Sequence, residues 1–251
     1  VTQFLFITDL DNTLVGDDDA LRVLNDRLDQ HRQAYGTRIV YATGRSLTRY
    51  RELQSEKPLL PPDALVTSVG TEIYYGDGAE PDNTWSKVLN RGWDRDRILA
   101  ITAHFADLTP QANTEQGAFK VSFFLSQETA DDVVPHLEAI LRDEELAINL
   151  IYSGGKDLDI LPQGANKGTA MAFLQEQWQF EAMQTVACGD SGNDLALFAG
   201  GQSRGVIVGN AQPELLEWHY ANPSPARYLA EASCAGGILE GLNHFGFLTT
   251  G

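Results

Sequence analysis

Between residues 4 and 69 short apolar runs alternate with amphipathic stretches, the alternation breaks off, and from Asn166 it begins again. An interrupted rhythm of this kind fits a parallel sheet covered by helices, whose chain leaves to build a second unit and then returns. Residues 4–8 read as a buried strand, and Leu21, Leu24, Leu28 and His31 share one face of a helix. Arg38–Ala42 reads as a second strand, residues 46–55 as a helix and residues 65–69 as a third strand. After the break the same reasoning gives a helix from Asn166 through Trp178, a strand at 185–188, a helix from Asn193, a strand at 205–208 and a helix from Pro213. The expected fold is therefore α/β, a parallel sheet core with a smaller inserted α+β domain. In such a sheet the loops that carry chemistry leave the carboxyl ends of the strands.

The break falls where Gly, Asp, Pro and Asn cluster in GDGAEPDNT, residues 76–84. Residues 1–82 and 162–251 are assigned to the discontinuous core, and residues 83–161 to the insertion. Within the insertion Ile98, Ile101, Phe105 and Leu108 form a helical stripe, while Phe119, Val121, Phe123 and Leu125 alternate with Lys120, Ser122, Phe124 and Ser126 as a half-exposed strand. The apolar positions of that strand are expected to form the insertion's own core. A helix at about residues 131–143 and strands at Ile148–Ser153 and 157–161 complete it.

Charge limits the partners. Lys and Arg number 18 against 35 carboxylates, a formal charge of -17, which argues against nucleic acid and anionic membrane and for a small molecule. The run at residues 3–8 has no basic residue before it and stops at Asp9, so it reads as a strand rather than a leader or a membrane span. The extreme N-terminus, opening on Val1, supports no argument. Cys188 and Cys234, the two cysteines, stand apart from any metal-ligand pattern and suggest a reducing cytoplasm.

Asp9 and Asp11, in Asp9-Leu10-Asp11-Asn12-Thr13, follow the first strand directly. One carboxylate there can attack phosphorus, and its neighbour two residues on can protonate the leaving oxygen and then activate water. A DxD alone describes turn caps equally well. Thr43 and Gly44, at the end of the second strand, offer a hydroxyl and a close amide to a phosphate, although Thr43 would also serve as a helix cap. Lys167 stands at the start of a helix, against the positive end of its dipole, and an anion there would explain a cation so placed. Asp190 and Asp194, in GDSGND, close a strand and open a helix with the hard oxygen donors that suit Mg²⁺. Unit charges 4 Å apart repel by about 4 kcal/mol at an effective dielectric near 20, so such carboxylates need a divalent cation and Lys167 before they can accept a phosphate.

Taken in order, DLDNT, ATGRS, the lysine of ANKG and GDSGND resemble the motifs of the haloacid dehalogenase-like hydrolase superfamily. The resemblance implies a Rossmann-like core, Asp9 as phosphorylated nucleophile, Asp11 as general acid and base, and Thr43, Gly44 and Lys167 on the phosphoryl oxygens. It also implies Mg²⁺ held by Asp9, the Asp11 carbonyl and Asp190, with Asp194 at its water shell, and an insertion of the type-C2 cap class. More narrowly, SVGTEIYY, SGGKDLDILPQGANKGTA, GVIVGNAQPELLEW and AGGILEGLNHFGFL are similar to the cyanobacterial and plant sucrose-6-phosphate phosphatase family over nearly the whole chain. That similarity implies sucrose 6-phosphate as substrate, with Arg45, Ser46, Glu72, Lys120, Lys156, Asp157 and Asn166 contacting it. It further implies a cytoplasmic monomer and sucrose-phosphate synthase as a docking partner.

Other readings stay open at this level. The core motifs suit capped phosphatases of trehalose phosphate, mannosylglycerate phosphate or hexose phosphates equally well. A receiver-like module that stores an acyl phosphate, or an idle sugar-phosphate sensor, shares the Asp, Thr and Lys, but has no use for an acid at Asp11. His31, His104, His136, His219 and His244 fit no motif, and the tryptophans read as packing residues.

Overall fold

The computed structural model describes residues 2–200 and 202–248; Val1 and residues 249–251, at the ends of the core assigned from sequence, lie outside the described residues. In chain order the elements are β1 (Leu5–Thr8), α1 (Asp18–Tyr35), β2 (Arg38–Ala42), α2 (Leu47–Glu56), β3 (Ala64–Thr67) and β4 (Glu72–Tyr75). There follow α3 (Asn83–Leu89), α4 (Arg95–Thr102), β5 (Thr109–Pro110), β6 (Val121–Phe124), α5 (Gln127–Asp143), β7 (Ile148–Ser153) and β8 (Asp157–Pro162). The chain then forms α6 (Lys167–Trp178), β9 (Thr185–Gly189), α7 (Leu195–Ala199), β10 (Arg204–Ile207), α8 (Pro213–Ala221), β11 (Arg227–Leu229) and α9 (Cys234–His244).

Every residue of β1 is buried, as the run LFIT requires, because helices cover both of its faces. It sits at the middle of a seven-stranded sheet in the order β11-β10-β9-β1-β2-β3-β4, parallel throughout except for the antiparallel pairing of β4 on β3. Asp9, Thr43 and Asp190 each follow the last residue of β1, β2 and β9, so neighbouring strands deliver them to one rim. α1 is set by the Asp17 carboxylate, which accepts the Asp19 and Ala20 N–H groups, and ends on Gly36 in a left-handed conformation. Leu21, Leu24 and Leu28 are buried from this helix, each contributing about 1.5–3 kcal/mol by the area it hides from water. His31, on the same face, bonds through Nδ1 to Thr37 Oγ1 at 2.6 Å.

The second sheet has four strands in the order β5-β6-β8-β7, all antiparallel, with α4 and α5 packed against it. The segment starting at Asn83 does not go with it. Trp85 and Leu89 of α3 are buried in the core of the large sheet, and Trp85 Nε1 donates to the Gly70 carbonyl at 3.0 Å, so the cap begins after α3. The helical stripe extended to Leu108 also ends sooner, because α4 stops at Thr102, whose hydroxyl folds back on the Ile98 and Leu99 carbonyls. β4, β5, β11 and α9 have no counterpart in the periodicity reading.

The alternating strand divides differently from expectation. Val121, Phe123 and Leu125 enter the insertion's core, whereas Phe119 packs against the core of the large sheet. Lys120 and Ser122, expected to face solvent, are buried: Lys120 Nζ reaches the Gly44 carbonyl of the large domain, and Ser122 is closed over by Glu115, Gln116 and Asp159 of the insertion itself. Among the described residues no helix is long and apolar enough to cross a membrane.

Candidate active site

Lys167 is the centre of the site. Its side chain has no exposed surface, and its Nζ lies 2.6 Å from Asp9 Oδ1 and 2.7 Å from Asp194 Oδ1. Such an arrangement needs α6 to start hard against the sheet rim, and Gly70 permits it. Gly70 has φ +98, and a Cβ there would stand 2.3 Å from the Asn166 carbonyl carbon and 2.8 Å from Lys167 N. Asn166 caps the helix, its Oδ1 accepting the Thr169 N–H at 2.8 Å.

Burial decides the charge states. It pushes Asp9 well above the usual carboxylate range, with Lys167 opposing and Asp194 and Asp190 adding to the rise. It also lifts Asp190 to about 7, helped by Asp194 and resisted by the hydrogen bond from Thr13. For Lys167 burial alone would favour the neutral amine, but Asp194 and Asp9 outweigh it and hold the ammonium above an ordinary lysine.

Asp9, Asp190 and Asp194 place one carboxylate oxygen each within 4.8 Å of the others, an arrangement that could hold a metal ion. Their remaining bonds separate two kinds of participant. Asp194 is engaged at both oxygens, Oδ1 by Lys167 and Oδ2 by the N–H groups of Asp190 and Ser191. Asp9 and Asp190 are engaged at Oδ1 by Lys167 and Thr13, and both line the cleft between the domains. The donor set thus fits a hard cation at Asp9 and Asp190, with Asp194 fixing the loop and the lysine.

Asp11 stands on the open side, its side chain 45% exposed and gripped by Arg45 through Nε–Oδ2 and Nη2–Oδ1 bonds of 2.7 Å each. The left-handed Asn12 between Asp11 and Thr13, at φ 58, turns the chain so that the two neighbours part. Val69, also left-handed at φ 61, lines the cleft and donates its N–H to the Thr43 carbonyl at 3.1 Å. Conformations of this kind in a β-branched residue cost about 1–3 kcal/mol and concentrate at functional sites.

The cleft has a volume of about 490 Å³. Its floor comes from Asp9, Asp11, Gly44, Arg45 and Asp190, its roof from Lys120, Lys156, Asp157 and Asp159 of the insertion. Lys120 reaches across, its Nζ 3.4 Å from Asp159 Oδ1 and 3.5 Å from the Gly44 carbonyl oxygen. Asp159 also accepts from Ser122 Oγ at 2.6 Å. Burial raises the Asp157 carboxyl, and Gln111 donates to it at 2.9 Å. Arg49 Nε meets Glu115 Oε1 at 3.3 Å, another link between the domains.

Six of the sequence-selected positions do not line the cleft: Lys167 and Asp194 lie beneath it, bonded to each other, and four more stand away from it. Thr43 is wholly buried, its hydroxyl accepting the Arg45 N–H at 3.1 Å. Ser46 caps α2. Glu72 is held by the hydroxyls of Thr67 and Tyr74 at 2.9 and 3.0 Å. Asn166, occupied as a cap, borders a different cavity beside α6. Arg45, expected on substrate, is instead committed to Asp11. The sequence reading did not select Gln111, Glu115 or Asp159, which do line the cleft. For Asp159 a signal existed: it sits two residues after Asp157 in one strand, hence on the same face.

The family model described as sucrose-6F-phosphate phosphohydrolase matches residues 2–246. Sucrose-phosphatase 1 of Nicotiana tabacum is 44% identical over 97% of this chain and 59% of its own length, so the chain spans about three fifths of that relative. Mannosylfructose-phosphate phosphatase of Agrobacterium fabrum is 35% identical over 96% of each chain. The X-ray structure of the sucrose-phosphatase from Synechocystis sp. PCC6803, in complex with sucrose and phosphate, superposes with a TM-score of 0.92 at 42% identity, covering 100% of both chains.

Proposed function

Since this chain belongs to the sucrose-6F-phosphate phosphohydrolase family, we propose that it hydrolyses sucrose 6-phosphate to sucrose and inorganic phosphate, with Mg²⁺ as cofactor. The observation that carries the reading is the buried Lys167 bridging Asp9 and Asp194 beneath a cleft whose opposite wall is polar and sugar-sized. In the proposed reaction Asp9 attacks phosphorus in line and becomes an aspartyl phosphate, while Lys167 neutralises charge on the phosphoryl oxygens. The Gly44 amide, at the lip of the same cleft, serves a phosphoryl oxygen, and Thr43 shapes that turn. Asp11 gives its proton to the departing sugar oxygen and then takes one from the water that hydrolyses the aspartyl phosphate. Asp9, Asp190 and the Asp11 carbonyl would hold the Mg²⁺, which when bound withdraws charge from the phosphoryl group.

Lys120, Lys156 and Asp157 face the sugar, with donors and acceptors for its hydroxyls. The same reading takes sucrose-phosphate synthase as the partner that supplies the ester and the phosphatase as a cytoplasmic monomer. A second reading, a mannosylfructose phosphate as substrate, is favoured by the relative that matches over nearly its full length. Both substrate names share a fructosyl unit, so the two readings differ in the other sugar.

Phosphate release is to be measured from sucrose 6-phosphate, mannosylfructose phosphate, trehalose 6-phosphate and glucose 6-phosphate, each with Mg²⁺ and with a chelator. The proposal expects the highest kcat/KM on sucrose 6-phosphate and loss of turnover with the chelator. A higher kcat/KM on any other ester overturns the substrate assignment.

A further inference from the structure

The hairpin joining β7 to β8 is tied to the core by Glu214, in the first turn of α8. Glu214 belongs to the stretch GVIVGNAQPELLEW, and the chemistry above gives it no task. Its Oε1 accepts two backbone N–H groups at 3.3 Å each. One comes from Gly154, in the hairpin that carries Lys156 and Asp157, and the other from Gly192, in the loop that carries Asp190 and Asp194. The packing there is close: a Cβ on Gly192 would lie 3.2 Å from Glu214 Cγ and 3.4 Å from the Tyr152 carbonyl oxygen. An acid following Pro213 at a helix start is favoured by the helix dipole alone, and would not need to meet the inserted domain. Here a single carboxylate oxygen joins two amides, one from each domain, in bonds strengthened by its charge.

We propose that Glu214 is a positioning residue that latches the sugar-facing hairpin to the carboxylate loop, a loop that Asp194 itself keeps in place, so that the hairpin is held over the cleft by a fixed point on the core. The inference rests on the sugar phosphatase reading for its substrate, but the latch itself is a property of the chain. Breaking it frees Lys156 and Asp157 from their place above the cleft while leaving Asp9, Asp11 and Lys167 in theirs. The loss therefore falls on KM for a large sugar phosphate, and a small ester that never meets the hairpin is spared.

The experiment uses the whole chain with Mg²⁺, and two substrates, sucrose 6-phosphate and p-nitrophenyl phosphate. Glu214→Ala is expected to raise KM for sucrose 6-phosphate about 10-fold, the loss of roughly one net charge-assisted bond, with kcat little changed and p-nitrophenyl phosphate turnover within about 2-fold. Glu214→Gln, whose amide oxygen still accepts both N–H groups, should restore KM to within about 3-fold of the parent. Glu214→Asp keeps the acid at the helix start but is one methylene too short, and should behave like the alanine variant. An unchanged KM in the alanine and aspartate variants, or an equal loss on both substrates, overturns the latch. Hydrogen exchange decides the case if the alanine variant does not fold: the Gly154 amide should exchange at least about 10-fold faster in Glu214→Asp than in the parent, and equal protection overturns the latch. A parent chain that fails on sucrose 6-phosphate defeats the substrate assignment alone, since the exchange measurement still reads the latch.

Discussion

The Arg45 guanidinium holds the Asp11 carboxylate in a two-point grip, Nε to Oδ2 and Nη2 to Oδ1, both at 2.7 Å. The pair is partly exposed, so its contribution to stability is small, but its geometry is specific. In the proposed reaction the planar fork fixes the plane of the Asp11 carboxylate and, because it occupies both oxygens, must release one of them before Asp11 carries a proton to the leaving group.

Arg45→Lys keeps the charge and discards the fork. Its expected effect is a fall of about 10-fold to 100-fold in kcat, within the range general acid–base catalysis supplies, with KM changed much less. Steady-state kinetics on the parent and the variant check this; equal kcat values would show that the orientation of Asp11 does not matter.

Asp9→Asn should abolish turnover and leave a folded protein, because Lys167 keeps Asp194 as a partner. Lys167→Met removes the buried cation from among Asp9, Asp190 and Asp194, and should destabilise the chain by about 3–5 kcal/mol in a chelator. Phosphate release checks the loss of turnover in Asp9→Asn, and urea denaturation of the three proteins checks its folding and the cost of Lys167→Met. Stability of Lys167→Met equal to that of the parent would mean the carboxylates are neutral in the folded chain.

Asp190, lifted to about 7 by burial and by Asp194, binds its proton more tightly folded than unfolded. Between about pH 4, where an unfolded aspartate titrates, and pH 7 the native chain therefore carries the extra proton, and metal-free stability falls as pH rises through this window. A divalent cation at Asp190 must displace that proton, so its apparent affinity should weaken as pH drops below about 7. Thermal melts at several pH values, with a chelator and with Mg²⁺, test both signs. A Mg²⁺-induced rise in Tm that is the same at pH 5.5 and pH 7.5 would contradict them.

Gly70→Ala introduces a Cβ 2.3 Å from the Asn166 carbonyl carbon at a backbone φ of +98. Strain and overpacking together should cost at least about 2 kcal/mol, and displacement of the start of α6 should carry Lys167 away from Asp9. The variant should thus lose kcat as well as stability. A destabilised variant with undiminished kcat would show that Lys167 does not depend on this contact.

Where the candidate site is written in contiguous motifs, the convergence of its residues was legible. Asp9, Lys167, Asp190 and Asp194 each end a strand or open a helix, and the parallel sheet brings such ends together whatever lies between them. The opposite wall was harder, because Lys120, Ser122 and Asp159 meet only through the register of β6 on β8, where Ser122 stands opposite Asp159. A polar strand face turned toward a second domain looks the same in sequence as one turned toward water. Ser46 and Asn166 stand as helix caps for a local reason, since the residue types that bind sugar hydroxyls are also those that cap helices. The packing of Trp85 and Leu89 on the large sheet was not legible, because a Gly- and Pro-rich stretch marks a turn and does not say to which domain the next helix returns.

The two walls of the cleft come from stretches that do not overlap, residues 9–69 and 167–212 below and residues 111–159 above. On the proposed function, inherited changes in the middle of the chain can therefore alter which ester is admitted without disturbing how its bond is cut. A duplicated copy could acquire a new diet by drift in that one interval while its hydrolytic half stays as it is.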